Sequence, residues 1–167
     1  MQNFYYQLNF DGNSYTAMSY QGDEQDVKIP EVYGGRPVTV LFDKLFDGHK
    51  EIRSVTIPDV VTDMGEFIFD GCENITELKL PSALQTLWGH TFVRMNIEEI
   101  VIPDGVISIP PFAFKDCKKL KKVVCGKKLK KIHPWAFGGC DSLKPENVIC
   151  GPDVEISPDA FKYNEKK

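Results

Sequence analysis

None of the chain's apolar runs approaches the roughly 18 residues needed to cross a membrane, so no membrane insertion is expected of its 167 residues. The first residues, Met1-Gln-Asn-Phe-Tyr-Tyr-Gln-Leu8, lack a basic region followed by an apolar one, and so do not read as a secretory leader. The expectation is therefore a cytoplasmic protein if the chain is complete, and a secreted or cell-surface one if a leader has been removed. The five cysteines, Cys72, Cys117, Cys125, Cys140 and Cys150, contain no C-x-x-C pair. Their odd number and irregular separations fit neither a disulfide framework nor a zinc site. The only histidines are His49, His90 and His133. Glycine-rich phosphate loops, H-E-x-x-H and nucleophile elbows are all missing. The adjacent carboxylates Glu98 and Glu99 read as strand residues facing opposite sides. Enzyme chemistry, a metal and a cofactor are accordingly not expected.

Basic residues are scarce outside one block. Residues 1–114 carry 7 basic and 17 acidic side chains, a net of −10, whereas residues 115–131 carry 9 basic and one acidic, a net of +8. Such segregation speaks to surface potential and partners, not to fold.

A repeat is present. Phe46, Phe69, Phe92, Phe114, Phe137 and Phe161 are spaced by 23, 23, 22, 23 and 24 residues. Five residues before each stands Leu41, Met64, Leu87, Ile109, Ile132 or Ile156, and further aliphatic registers keep the same phase. Ile75-Thr-Glu-Leu78-Lys-Leu80 and Ile97-Glu-Glu-Ile100-Val-Ile102 follow L-x-x-L-x-L, whose closing alternation predicts a short strand with one face inward. Proline follows at 58, 81 and 103 and ends the strand, because it cannot donate to a continuing ladder. A second apolar pair comes next, then a one-turn segment carrying the phenylalanine. Each unit is too small to bury its own apolar face, so neighbours must stack and share a core. The expected fold is a repeat solenoid, mainly β with short helical turns, of about six coils of 22–25 residues.

Residues 1–28 fall outside the repeat. Phe4–Phe10 and Tyr15–Tyr20 flank Asp11-Gly12, a hairpin signal, and this hairpin is expected to cap the first coil. A single domain is expected, with repeats over 29–161 and a polar tail over 162–167. The segment Ile102-Pro-Asp-Gly-Val106-Ile-Ser-Ile109-Pro-Pro-Phe-Ala113-Phe114-Lys-Asp-Cys117-Lys-Lys-Leu120 resembles the unit of the BspA-like leucine-rich repeat family, roughly I-P-x-x-V-x-x-I-G-x-x-A-F-x-x-C-x-x-L. The resemblance runs over roughly residues 27–161, with Gly34-Gly35-Arg-Pro-Val38 at its entry. Met95 replaces the family cysteine, the last two strands end in Cys-Gly, and Leu143–Val148 carries two extra residues. The resemblance implies a non-catalytic protein–protein interaction scaffold. The alternative it implies is a surface or secreted adhesion element recognising a glycan or polyanion.

Four candidate features follow. Two residues before the repeat phenylalanines stand Phe67, His90, Phe112 and Trp135, planar groups on four successive coils. They read either as a stack that stabilises the ladder or as a binding stripe. Val101, Val124 and Ile149 form an outward apolar row on the strands, which either binds or lies under a loop or the tail. The block 115–131 presents Lys118, Lys119, Lys121, Lys122, Lys127 and Lys128, which read as a solvated face or as a docking edge for an acidic protein. Nucleic acid is disfavoured because no aromatic residue interleaves these lysines and the rest of the chain is acidic. The cysteines fall in two registers and read as small buried hydrophobes.

Overall fold

Alternating apolar triplets and paired apolar positions give this chain two kinds of short strand, one of each in every coil but one. In a computed structural model, which describes residues 3–163, the chain opens with β1 (Phe4–Leu8) and β2 (Tyr15–Tyr20). It continues through β3 (Asp26–Lys28), β4 (Val32–Tyr33), β5 (Arg36–Leu41), β6 (Ser54–Thr56), β7 (Asp63–Met64) and β8 (Thr86–Leu87). The later coils hold β9 (Glu99–Val101), β10 (Ser108–Ile109), β11 (Lys122–Val124), β12 (Lys131–Ile132), β13 (Val148–Ile149) and β14 (Glu155–Ile156). The result is a β-solenoid of about six turns.

On one side of each coil the L-x-L strands stack in parallel. β3 pairs with β6, and β9, β11 and β13 form a second run in the register Glu99↔Lys122 and Val101↔Val124↔Ile149. The other side carries the second apolar pair. There β2, β5, β7 and β8 stack in parallel, with Leu41, Met64 and Leu87 in one row, and β10, β12 and β14 continue beyond a break. The break falls where Pro110 follows β10. Its counterparts Gly65 and Trp88 donate their N–H to the preceding coil, to the carbonyls of Leu41 at 3.0 Å and Met64 at 3.1 Å. Proline has no N–H to give.

Between the ladders lies the core. Phe46, Phe69, Phe92, Phe114 and Phe137 are almost wholly buried. Their rings stack at 4.8–6.2 Å between centroids, and Phe161 extends the column at 5.3 Å from Phe137. The hairpin β1–β2 caps this column, with Phe4 and Tyr20 against Phe46 at 6.1 and 5.4 Å.

Several details depart from the sequence reading. The segments carrying the phenylalanines are turns and not helical, and a residue of positive φ interrupts five of the six (Phe67 at 54°, Phe112 at 62°). Among the described residues the one helical element is a 3-10 turn, Pro145–Asn147, which takes up the two extra residues of that coil. Gly34 and Gly35, both at positive φ, form the turn of a second hairpin, β4–β5. Two successive residues of positive φ are the requirement of a type I′ hairpin turn, which glycine meets without strain. β3 precedes Ile29 and is already a ladder strand.

The largest departure concerns the strand expected over Leu78–Leu80. Leu78 and Leu80 face inward and are buried as the pattern requires, yet residues 76–80 form no strand and no backbone hydrogen bond with either neighbouring coil. In a closed ladder Glu77 would stand beside Glu99, a like-charge neighbour that disfavours pairing. The first ladder is thus split into two sheets with open clefts on either side of residues 77–79.

Candidate functional site

The aromatic register is held by an unusual backbone. Lys44, Phe67, His90, Phe112 and Trp135 occupy the same place in successive coils, and all have φ between 54° and 62°. This left-handed conformation costs a residue with a Cβ about 1–2 kcal/mol. It also projects the four rings into one column. Phe67–His90, His90–Phe112 and Phe112–Trp135 stack at 4.5, 4.9 and 5.4 Å with interplanar angles of 12–13°. Stacked pairs contribute about 0.5–1.5 kcal/mol each beyond area burial, so three of them offset the backbone strain of four residues only in part. The rings cover one another's faces and are half-buried. Burial pushes the His90 imidazole below its ordinary value of 6.5, against the opposing pull of Glu66.

The lysine block meets this column only at its first residue, Lys115. Among the described residues the lysine over Phe112 is Lys115, at 5.8 Å, and it also lies 5.2 Å from the Tyr163 ring. The expected docking lysines surround β11. Lys118 and Lys119 precede the strand, Lys121 and Lys122 enter it, and Lys127 and Lys128 leave it. Their charge is partly compensated across coils: Lys121 reaches Glu98 at 2.8 Å and Lys127 reaches Asp104 at 3.7 Å. Lys118, Lys119, Lys122 and Lys128 form no ion pair among the described residues. Glu98 lies just outside β9, and it and Glu99 are both exposed, which replaces the expected opposite facing of the two.

β11 also brings Lys122 into line with the apolar row. Alternation along the strand puts Lys122 and Val124 on its outward face. Val101 is 62% and Ile149 is 50% exposed, with Val124 half-buried between them. Nothing among the described residues covers this row; residues 164–167 lie outside that set. An apolar cleft lined by Leu78, Leu80, Ile100 and Val101 opens beside it, where the ladder is broken.

The cysteines have a structural task. Cys72, Cys117 and Cys140 are buried, and each thiol donates to a phenylalanine carbonyl of the previous coil: Phe46 at 3.1 Å, Phe92 at 2.9 Å and Phe114 at 3.0 Å. Burial pushes the Cys72 thiol up to about 12 and that of Cys117 well above its ordinary value. Cys125 is likewise raised to about 12, first by burial and then by Cys150. A thiol so raised is protonated at neutral pH and is a poor nucleophile. Among the described residues no group of three or more His, Cys, Asp or Glu is placed to hold a metal ion.

Sequence reasoning passes over two exposed rings. Phe42 is 45% and Trp88 56% exposed. They stand directly after the second strand, where the repeat unit has the glycine seen at Gly65. That substitution of a large ring for glycine, on two coils out of three, was the available signal.

Parallel strands stacked coil upon coil around a phenylalanine column define a leucine-rich β-solenoid. Residues 39–167 match six copies of the BspA type leucine rich repeat region, and the chain belongs to that family of repeat scaffolds. A comparison with curated proteins finds no match. Among solved structures, a T. pallidum leucine-rich repeat protein is similar at 22% identity and a TM-score of 0.65, over 86% of this chain and 89% of that one. A Bacteroides ovatus leucine-rich repeat protein is similar at 22% identity and a TM-score of 0.63, over 86% of this chain and 45% of its own. A leucine rich cell surface protein of Faecalibacterium prausnitzii is similar at 21% identity and a TM-score of 0.58, over 86% and 53%. The chain thus spans about half the length of the last two, and the likeness is one of fold.

Proposed function

We propose that the protein is a non-catalytic interaction module whose β9–β11–β13 face docks an acidic, partly apolar protein partner. The observation that carries this reading is the uncovered row Val101, Val124 and Ile149 beside the unpaired Lys122 of β11, with the unpaired Lys118, Lys119 and Lys128 in the turns that flank that strand. Apolar side chains that a partner desolvates supply affinity, while clustered charge at the rim raises the association rate. Lys118, Lys119, Lys122 and Lys128 are free to play the second part. The stacked column Phe67, His90, Phe112 and Trp135 is given a scaffold role in this reading, since its ring faces are occupied by one another.

The test is affinity capture from the native cell, followed by surface-based kinetics with the captured protein at two ionic strengths. Val101→Asp with Val124→Asp is expected to weaken binding at least about a hundredfold, as loss of an interface centre does. Replacing the four free lysines by serine is expected to slow association and flatten its salt dependence. Unchanged binding by both variants rejects this face. Equal binding of heparin by the wild type, lost with the same lysines, favours a polyanion over a protein.

A further inference from the structure

The second ladder places two exposed rings two coils apart with a glycine between them. Leu41, Met64 and Leu87 are in register on β5, β7 and β8, so Phe42, Gly65 and Trp88 are successive rungs. All three backbones are pinned. Phe42 N–H donates to the Ala17 carbonyl at 2.9 Å, Gly65 N–H to that of Leu41 at 3.0 Å, and Trp88 N–H to that of Met64 at 3.1 Å. At about 4.8 Å per rung, residues 42 and 88 are about 9.6 Å apart. A group in van der Waals contact on both sides needs about 7–8 Å, so the gap admits one side chain in thickness.

Gly65 lets Asp43 pack against the floor of the gap: a Cβ there would collide with a carboxylate oxygen and the backbone nitrogen of Asp43. The cleft of about 370 Å³ is mostly apolar and is lined also by Asp43, Asp63 and Glu66, with no lysine, arginine or histidine in its wall. Two of the carboxylates are oriented by hydrogen bonds that leave an oxygen over. Asp43 Oδ1 accepts from the Glu66 N–H at 2.8 Å, and Asp63 Oδ2 from the Thr62 hydroxyl at 2.6 Å. None of the three makes an ion pair among the described residues.

We propose that Phe42 and Trp88 form a clamp over Gly65 that takes an arginine side chain of a protein partner, with Asp43, Asp63 and Glu66 neutralising it. The wall is apolar and the rim carries only negative charge. The occupant must therefore be flat or slender, with an aliphatic stem and a positive end. A guanidinium meets these demands better than an ammonium, because it is planar, stacks on rings and pairs with carboxylates two bonds at a time. This site is on the other ladder from the β9–β11–β13 face and of opposite charge, and it stands or falls independently of that reading.

The probe is the peptide acetyl-Gly-Gly-Arg-Gly-Gly-amide, with the same peptide carrying citrulline, a neutral isostere, as control. Binding is followed by the indole N–H resonance of Trp88, assigned with Trp88→Phe, and by calorimetry for the variants. The arginine peptide is expected to shift that resonance saturably, and the citrulline peptide to bind at least about tenfold more weakly. Trp88→Ala is a surface change that leaves the net charge alone; it is expected to lower arginine affinity at least about tenfold with an unchanged circular dichroism spectrum. Asp63→Asn with Glu66→Gln is expected to do the same. Absence of saturable binding overturns the proposal, and so does equal binding of citrulline. Full affinity retained by Trp88→Ala also overturns it, because the peptide would then be held by diffuse charge alone.

Discussion

A lysine, two phenylalanines, a histidine and a tryptophan share one left-handed backbone position, and that position sets the rules for substitution there. Lys44 is exposed and outside the ring stack, so it reports the backbone alone. Lys44→Gly is expected to be neutral or to stabilise by up to about 1 kcal/mol, whereas Lys44→Val is expected to destabilise by more than that. Urea denaturation of the pair decides this, and a glycine variant less stable than the valine one would contradict it. His90 adds a pH dependence. Its folded value is depressed by burial, so it contributes stability that is present above the unfolded value of about 6.5 and lost as pH falls toward the folded one. His90→Phe keeps the stack and removes the titration. Between pH 7.5 and 5, the melting temperature of the variant is expected to fall less than that of the wild type.

Coils as elements are held by backbone ladders, by the phenylalanine column, by the outer ring stack from Phe67 to Trp135 and by the thiol-to-carbonyl bonds of Cys72, Cys117 and Cys140. Phe114 sits mid-array against both Phe92 and Phe137, so both neighbouring coils feel its removal. Phe114→Ala is expected to cost about 3–5 kcal/mol through cavity formation, measurable by denaturant titration; a cost under about 1 kcal/mol would mean that the column can collapse around the gap. The coil of residues 76–80 is the weak element. Its inward leucines are in place, but its ladder bonds are missing. The amides of that segment should therefore be the least protected of the mid-array strands in hydrogen exchange.

Over the whole molecule, charge and apolar surface are divided between the two ladders. The first ladder carries an apolar row with free lysines, and the second carries two rings over carboxylates. A solenoid has room for both because each coil touches only its neighbours, and outward positions are largely independent of the core. The docking reading of the first face and the clamp on the second predict partners, or parts of one partner, of opposite charge.

The period, the buried phenylalanines, the hairpin cap and the family were all legible in the sequence, because a solenoid core repeats one pattern of side chains at fixed spacing and nothing outside a coil's neighbours disturbs it. The candidate residues were legible only as registers. Their surroundings depended on how the coils stack: whether Phe112 and Trp135 present faces or cover each other, which of the lysines meet Glu98 and Asp104, and whether Leu78–Leu80 closes its ladder. Phe42 and Trp88 are 46 positions apart in the chain, and only the parallel register of β5, β7 and β8 makes them neighbours across Gly65. Spacing along the chain determines which residues face inward; the offset and separation between coils, to which every backbone hydrogen bond and like-charge pair contributes, is a tertiary quantity, and it decided what the outward residues can do.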